Sequence, residues 1–257
     1  MYEIKTDTHT HTIFSGHAYS TIEENARAAA EQGMEALGTT DHFSGLFVPD
    51  THMTYYGHFT NYKALPKEWY GVRLFRGAEA DIVDLDGHLF GHDLYVPYGM
   101  GDQKPSYLDW ILRQTDYLIA SVHDKSFAIG KSLAQTTEMY CKALENPKVL
   151  IIGHIGRAGV PFEIDEVLKV AKEKNKMIEI NEASHEYPEH ITGLCRQVAV
   201  RCAELGVKIS VGSDAHSSWY VGKFDKVRAV LEEIHFPEEL IGTRDRASLE
   251  EMIAGLR

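Results

Sequence analysis

Short apolar, β-branched runs alternate with amphipathic helical segments along almost the whole of this chain of 257 residues. Such alternation is typical of consecutive βα units, whose strands form a parallel sheet. Seven units fit the chain, and a length of about 250 residues is common for an α/β barrel. We therefore predict an α/β fold, a distorted TIM-like (β/α)7 barrel in which residues 1–257 form a single domain. The strands are predicted at Ile4–His11, Ala36–Thr40, Val72–Glu79, Tyr117–His123, Val149–His154, Met177–Asn181 and Lys208–Asp214.

The first helix has the clearest predicted boundaries. Ser20 or Thr21 can cap its amino end, and Gly33 is suited to end it. Glu23 and Glu24 lie in its first turn, where the helix dipole favours negative charge. The sequence thus predicts a helix that follows directly on the first strand and its loop.

Two long connections interrupt the alternation, at about Phe43–Tyr70 and Asp81–Asp109. Long loops inside a compact domain are commonly functional. The first connection is rich in aromatic residues, and it either packs on itself or forms a substrate lid. We favour packing. Its aromatic residues are Phe43, Phe47, Tyr55, Tyr56, Phe59, Tyr62, Trp69 and Tyr70.

The acidic net charge of the chain argues against nucleic acid as a binding partner. The formal net charge is −12, and general binding to nucleic acid depends instead on clustered Lys and Arg. We expect a small substrate, no long nucleic acid and no membrane partner. The three cysteines have no C-x-x-C spacing and the amino terminus has no signal-peptide pattern, so a cytoplasmic location is expected.

Histidines and carboxylates gather where the predicted strands end. His9 and His11 alternate with threonines, so both imidazoles and Asp7 lie on one face of the first strand. Taken alone, this H-x-H pair is explained equally well by two structural histidines. Glu79 could likewise form an ion pair with Arg73 or Arg76.

The complete set of strand ends favours a metal site. Five of the seven predicted strands end in His, Asp or Glu, and Asp41-His42 directly follows a sixth. In a parallel barrel these ends converge on the face that holds active sites. Imidazole and carboxylate ligands without cysteine suit Zn, Mn or Fe in open catalytic sites. The ligands predicted at these strand ends are His9, His11, His42, Glu79, His123, His154, Asp214 and His216. Taken alone, His17 in the turn before the first helix is better explained as a surface or capping residue.

Seven motifs follow one another along the chain: His9-Thr10-His11, Ser15-Gly16-His17-Ala18-Tyr19-Ser20, Thr40-Asp41-His42, Glu79, His123, Gly153-His154 and Ser213-Asp214-Ala215-His216. This ordered series resembles the full motif set of the PHP (polymerase and histidinol phosphatase) family, and most closely its YcdX-like stand-alone phosphatase branch. The resemblance spans essentially the whole chain.

The resemblance implies a distorted seven-stranded barrel with three divalent metal ions, usually zinc, with manganese or iron serving some relatives. It assigns His9, His11, Glu79 and Asp214 to one ion. Glu79 then bridges to a second ion held by His123 and His154, and His17, His42 and His216 hold the third. Glu79, Asp214 and His216 are the residues we assign to catalysis.

Further residues are predicted to support these ligands. Asp7 and Asp41 are placed to orient ligand imidazoles. Arg157, Lys125 and Arg76 each lie close in sequence to a proposed ligand and could bind a phosphate oxygen, although a surface location is the alternative for each. Asn181 is a candidate lining residue. The remaining histidines are interpreted as solvated or structural: His52, His58, His88, His92, His185, His190 and His235.

These observations favour hydrolysis of a small phosphomonoester. Two metal ions about 3.5–4 Å apart can hold a hydroxide between them and stabilise an in-line displacement at phosphorus. The alternatives are a phosphodiesterase or exonuclease acting on nucleotides or short oligonucleotides, an amidohydrolase or lactonase, and a non-catalytic PHP module that supports a polymerase. An amidohydrolase or lactonase typically bridges its metals with a modified lysine, whereas this chain has Glu79 and His123.

Overall fold

Nine strands of the chain pair into one sheet in the computed structural model, which describes residues 2–46, 56–95 and 104–256. The strands are β1 Thr6–Asp7, β2 Ala36–Thr39, β3 His42–Phe43, β4 Glu68–Trp69, β5 Val72–Asp81, β6 Tyr117–Ser121, β7 Val149–Ile152, β8 Met177–Asn181 and β9 Ile209–Gly212. Seven of them follow one another in parallel, in the order β1-β2-β5-β6-β7-β8-β9. The short strands β3 and β4 pair with β5, and β4 is antiparallel to it.

The two ends of this sheet meet just beyond β1 and β9. Thr10 forms a parallel bridge with Ala215. The His11 amide donates to the Ala215 carbonyl at 2.9 Å, and the Asp214 amide donates to the His9 carbonyl at 2.8 Å. The result is a nearly closed barrel of seven parallel strands surrounded by helices, which confirms the predicted fold class.

The described helices lie between successive strands and after the last one. They are α1 Ile22–Glu31, α2 Tyr107–Leu112, α3 Leu133–Ala143, α4 Ile164–Glu173, α5 Glu189–Leu205, α6 Asp225–Glu233 and α7 Arg246–Ala254. Thr21 caps α1 in a capping box with Glu24, and Gly33 follows with a φ of 72°, so the first helix begins and ends as predicted. None of the helices in the described ranges combines the length and the apolar character needed to cross a membrane.

Alternation along the strands separates the barrel interior from the surface that the helices cover. Tyr117 and Ile119 of β6 and Met177 of β8 belong to an interior cluster that Leu249 and Met252 of α7 also join. The intervening residues pack in the larger core beneath the surrounding helices. Polar residues that continue the interior series towards the carboxyl ends of the strands therefore face the inside of the barrel.

Strand β1 is much shorter than the predicted Ile4–His11. The Thr40 hydroxyl accepts a hydrogen bond from the Thr10 amide at 3.0 Å and donates to the Thr10 carbonyl at 3.1 Å. Tyr117 donates to the Thr8 carbonyl at 2.7 Å. Side-chain hydroxyls thus satisfy part of the backbone that a regular ladder would pair, and they fix the segment that carries His9 and His11.

Four aromatic residues in the described part of the first long connection contribute to the core. Phe43, Tyr56, Phe59 and Tyr62 are buried, and the Phe43 ring lies 5.1 Å from that of Tyr56 and 5.9 Å from that of Phe59. Their burial supports packing for these residues. The lid alternative also involves residues 47–55, including Phe47 and Tyr55, which lie outside the described residues.

Candidate metal centre

All nine residues predicted as metal ligands lie together at the carboxyl end of the barrel. The segments that follow β1 and β9 carry His9, His11, Asp214 and His216, while Glu79 lies in β5 and His42 in β3. His123 and His154 come directly after β6 and β7. Residues far apart in sequence therefore share one site because parallel strands end on one face.

Glu79 lies at the middle of the group. Its side chain is fully buried, and Oε1 accepts a hydrogen bond from the Ser121 hydroxyl at 2.7 Å. Five imidazoles surround its two oxygens at distances between 2.8 and 3.5 Å: His9, His11, His42, His123 and His154. Although burial disfavours the charged carboxylate, the histidines around it hold the pKa of Glu79 well below its usual range.

Asp214 forms a second negative centre beside His11. Its φ of 58° is in the left-handed region, which non-glycine residues rarely occupy and which is often found at functional sites. Oδ1 lies 3.1 Å from Nε2 of His11, and Oδ2 accepts a hydrogen bond from the Arg157 guanidinium at 2.6 Å. Burial raises the pKa of Asp214, but His9, His11 and Arg157 outweigh it and hold the pKa well below its ordinary value.

His17 and His216 form the outer part of the site. Their Nε2 atoms lie 2.8 Å apart, and both rings flank a cavity of about 360 Å³ that Arg157 and Tyr187 also line. Burial lowers the pKa of each of the two imidazoles, so each is held in the neutral form that can donate a lone pair to a metal. The cavity has room for a phosphate group above the buried ligands.

Three imidazoles are oriented by side chains that the sequence analysis did not single out. His9 Nδ1 lies 2.7 Å from Oε1 of Glu179, and His11 Nδ1 lies 3.0 Å from the Ser15 hydroxyl. Nδ1 of His123 lies 2.5 Å from Oδ1 of Asp81. These contacts fix the ring tautomer and leave the opposite nitrogen directed at the centre, as partners of metal-binding histidines commonly do. The available signal was alternation, since Glu179 shares its strand face with Asn181, and Asp81 shares its face with Glu79.

The two predicted supporting aspartates act differently from the expectation. Asp7 accepts hydrogen bonds from the backbone amides of His9, Ser213 and Gly222. It therefore fixes the backbone where β1 meets β9 and contacts no imidazole among the described residues. Asp41 reaches His11 indirectly, because its Oδ1 accepts from the Ser15 hydroxyl at 2.6 Å.

Of the four predicted substrate contacts, Arg157 and Asn181 lie at the site. Asn181 Nδ2 is 3.4 Å from Oδ2 of Asp214. Arg76 does not reach the site, because its guanidinium pairs with Asp116, which comes directly before β6 and so lies at the amino end of the barrel. Lys125 is exposed and does not line the cavity among the described residues.

The buried atoms of the centre fit a metal-binding role. Nε2 of His9, Nε2 of His11 and Oε2 of Glu79 are buried and each lies within 3.5 Å of another polar atom of the site. None of them forms a hydrogen bond of good geometry in the described part of the chain, and such atoms are costly unless a ligand satisfies them. Burial and the neighbouring His42 lower the pKa of His11 well below its usual value, which leaves its lone pair available.

Three sets of residues in the centre each present three ligand atoms within 4.8 Å of one another. Their donors are nitrogen and oxygen only, which suits zinc, manganese or iron. The sets are His9, His11 and Glu79; His42, Glu79 and His123; and His11, His42 and His216.

Comparisons with known proteins place the chain in a family. The sequence model of the PHP domain matches residues 7–183. A probable phosphatase from Clostridium botulinum is 41% identical over 235 residues, which cover 91% of this chain and 88% of that protein. A probable phosphatase from Caldanaerobacter subterraneus is 40% identical over 236 residues, which cover 91% of this chain and 85% of the relative.

A solved structure shares the fold. Histidinol phosphate phosphatase from Lactococcus lactis, crystallised with zinc, L-histidinol and phosphate, superposes with a TM-score of 0.55. The two sequences are 17% identical, and the match covers 91% of this chain and 94% of that one.

Proposed function

We propose that this chain, which belongs to the PHP domain family, is a metal-dependent phosphatase that hydrolyses a small phosphomonoester at the candidate metal centre. The proposal depends above all on one observation: Glu79 is fully buried with five imidazoles around its two oxygens. A carboxylate in that position can bridge cations that separate sets of histidines hold. The names of the relatives, probable phosphatases, support the same class of enzyme.

We assign three divalent ions to this centre, with zinc as the first candidate and manganese or iron as the others. His9, His11, Glu79 and Asp214 would hold one ion, and Glu79, His123 and His154 a second. His17, His42 and His216 would hold the third. Divalent ions bound there lower the pKa of water and offset the negative charge of the phosphoryl oxygens.

The protein itself supplies positioning for the phosphate. Arg157 lines the cavity of about 360 Å³, and its planar guanidinium is suited to bind two phosphate oxygens at once. It is held by Asp214 and by the Tyr187 ring, whose centroid lies 5.3 Å from the guanidinium carbon. An arginine restrained on two sides loses little conformational freedom when it binds an anion.

A second cavity of about 390 Å³ adjoins the first and provides room for the leaving group. The two cavities share Ala183, Glu186, Asp214 and His216 in their walls. Tyr220 and Lys223 line the second cavity only. A volume of this order suits a small organic group rather than a polymer, in agreement with the acidic net charge of the chain.

The proposal is tested by measuring phosphate release from p-nitrophenyl phosphate and from a panel of phosphorylated metabolites with the purified, metal-loaded protein. We expect turnover of at least one small phosphomonoester. Glu79→Gln should abolish turnover and reduce bound metal, whereas Glu166→Gln, at an exposed position of α4, should change neither. Hydrolysis of bis-p-nitrophenyl phosphate alone would support the phosphodiesterase alternative. A metal-loaded protein inactive on all of these substrates would contradict an enzymatic role.

A further inference from the structure

A hairpin after β5 carries a second group of metal-ligating side chains, outside the metal centre. Asp84, His88 and His92 each offer one ligand atom, and these atoms lie within 4.8 Å of one another. The two imidazole rings face each other with their centroids 4.4 Å apart and their planes 5° from parallel. Nδ1 of His88 lies 2.8 Å from Oδ2 of Asp84.

Backbone hydrogen bonds hold this hairpin in a defined shape. The Val83 amide donates to the His88 carbonyl at 2.9 Å, and the Phe90 amide donates to the Asp81 carbonyl at 2.7 Å. Asp84 Oδ1 also accepts from the His88 amide at 3.1 Å. Asp84 and His88 are thus displayed by a hydrogen-bonded turn, and His92 follows it, with its amide donating to the Leu89 carbonyl at 3.2 Å.

Close packing on α3 restrains the same turn from below. Gly87 has a φ of 72°, and a Cβ at this position would lie 2.7 Å from the Met139 carbonyl oxygen and from the Ala143 nitrogen. Lys142 of α3 donates to Asp86 at 2.9 Å. Residue 87 must be glycine because of its positive φ and because a Cβ there would overlap the α3 backbone. The close contact between the turn and α3 limits movement of the candidate ligands.

We propose that Asp84, His88 and His92 form an additional site for a divalent transition-metal ion such as Zn²⁺. Two imidazoles and one carboxylate are a donor set that zinc uses in open sites, where water completes the coordination. The side chains are accessible, with exposed fractions of 50% for His88 and 39% for Asp84. Because the ligands are this exposed, the ion is expected to exchange more readily than ions in the buried centre.

An ion in this hairpin would also stabilise one part of the metal centre. The hairpin begins at Asp81, whose carboxylate contacts His123, and its Phe90 amide bonds the Asp81 carbonyl. Closing the hairpin with a metal would restrain Asp81 and therefore the orientation of the His123 ring. The proposed site thus acts as a structural clip next to the centre.

Calorimetric titration of Zn²⁺ into protein whose metal centre is already saturated tests the proposal. We expect one further equivalent to bind to the wild-type protein and none to bind to the double variant His88→Ala/His92→Ala. His190→Ala, which removes an exposed imidazole from α5, should retain the extra equivalent. Equal zinc stoichiometry in the wild-type protein and the double variant would overturn the proposal.

Histidine modification by diethyl pyrocarbonate, mapped by mass spectrometry, gives a readout that needs no variant. Adding Zn²⁺ beyond saturation of the centre should slow modification of His88 and His92 severalfold and leave His190 unaffected. Unchanged modification rates at His88 and His92 would contradict metal binding there. Because neither measurement uses turnover, the outcome is independent of the proposed phosphatase activity.

Discussion

Nδ1 of His9 lies 2.7 Å from Oε1 of Glu179, and both side chains are fully buried although they are 170 residues apart in the chain. The other oxygen of Glu179 accepts a hydrogen bond from the His154 amide at 2.8 Å. The Glu179 carboxylate therefore orients the His9 ring and fixes the backbone of His154. With His9 held in this way, its Nε2 lies 3.3 Å from Oε2 of Glu79.

Glu179→Gln should weaken metal binding without removing any predicted ligand. The amide keeps one of the two acceptor oxygens, so either the His9 or the His154 contact is lost together with the negative charge. Loss of such partners typically costs about 10–100-fold in metal affinity. Competition with a chelator measures the change, with Glu166→Gln as the surface control. The same chelator midpoint in Glu179→Gln and wild-type protein would show that Glu179 does not support the metal site.

Gly212→Ala should disturb the same contact by steric overlap. A Cβ at residue 212 would lie 2.4 Å from Oε1 of Glu179 and 2.6 Å from Cβ of His9. We expect a loss of about 1–3 kcal/mol in the free energy of unfolding, together with weaker metal binding. Gly193→Ala in α5 is the matched control, since a Cβ there meets nothing within 4 Å and should be neutral or stabilising by up to about 1 kcal/mol. Denaturant titrations compare the two variants, and equal unfolding free energies would refute the overlap.

The sequence was sufficient to predict the barrel and to nominate the residues that surround Glu79, because strand ends in a parallel barrel share one face. It was insufficient for the supporting contacts. Glu179 meets His9 only because the barrel closes between β1 and β9, and no local pattern reveals which strands then face each other. Arg76 illustrates the opposite error: three residues before Glu79 along a strand is about 10 Å towards the amino end, where Asp116 pairs with it.

Ser15→Ala should lower the stability of the metal-free protein, because the Ser15 hydroxyl connects Asp41 to His11. Ser15 Oγ donates to Asp41, lies 3.0 Å from Nδ1 of His11, and accepts from the His42 amide at 3.2 Å. Removing it leaves buried polar groups unsatisfied, at a cost of about 1–3 kcal/mol in unfolding free energy. Thermal and denaturant unfolding of the metal-free protein measure this loss, and Ser126→Ala, at an exposed position, serves as the control. Equal stability of both variants would argue against a stabilising contribution from the hydrogen bonds of the Ser15 hydroxyl.

Arg157→Ala should weaken recognition of phosphate. A charge-assisted hydrogen bond contributes about 1.5–3 kcal/mol, so we expect kcat/KM to fall about 10–100-fold and inhibition by inorganic phosphate to weaken. Arg157→Lys should recover only part of this, because an ammonium cannot form two parallel bonds. Arg196→Ala, which removes a surface ion pair with Glu233, is the control. If metal content fell in parallel with activity, the arginine would be acting on Asp214 rather than on the substrate.

Lys176 gives a test of buried charge away from the metal centre. Burial, with a smaller effect from Lys174, lowers the pKa of Lys176 from 10.5 to about 8, and its Nζ lies 3.4 Å from the carbonyl oxygens of Asn146 and Pro147. Between these two pKa values the unfolded chain binds a proton that the folded chain has released. The contribution of Lys176 to stability therefore rises with pH across that window.

Lys176→Met removes the buried charge, which destabilises the wild-type protein at pH 7 but not at pH 11. The free energy of unfolding of the variant, relative to that of wild-type protein, should therefore be higher at pH 7 than at pH 11. Roughly 1.4 kcal/mol for each unit of pKa gives about 3.5 kcal/mol between 10.5 and 8. Because part of the Lys176 charge is screened by solvent, we expect this difference to change by about 2–3 kcal/mol. Denaturant unfolding at several pH values measures it, and Lys169→Met, which replaces an exposed lysine, is the control. If the difference in unfolding free energy between Lys176→Met and wild-type protein did not change with pH, the Lys176 ammonium would be hydrated in the folded protein. Only a charge that loses its hydration on folding has a lowered pKa in the folded state.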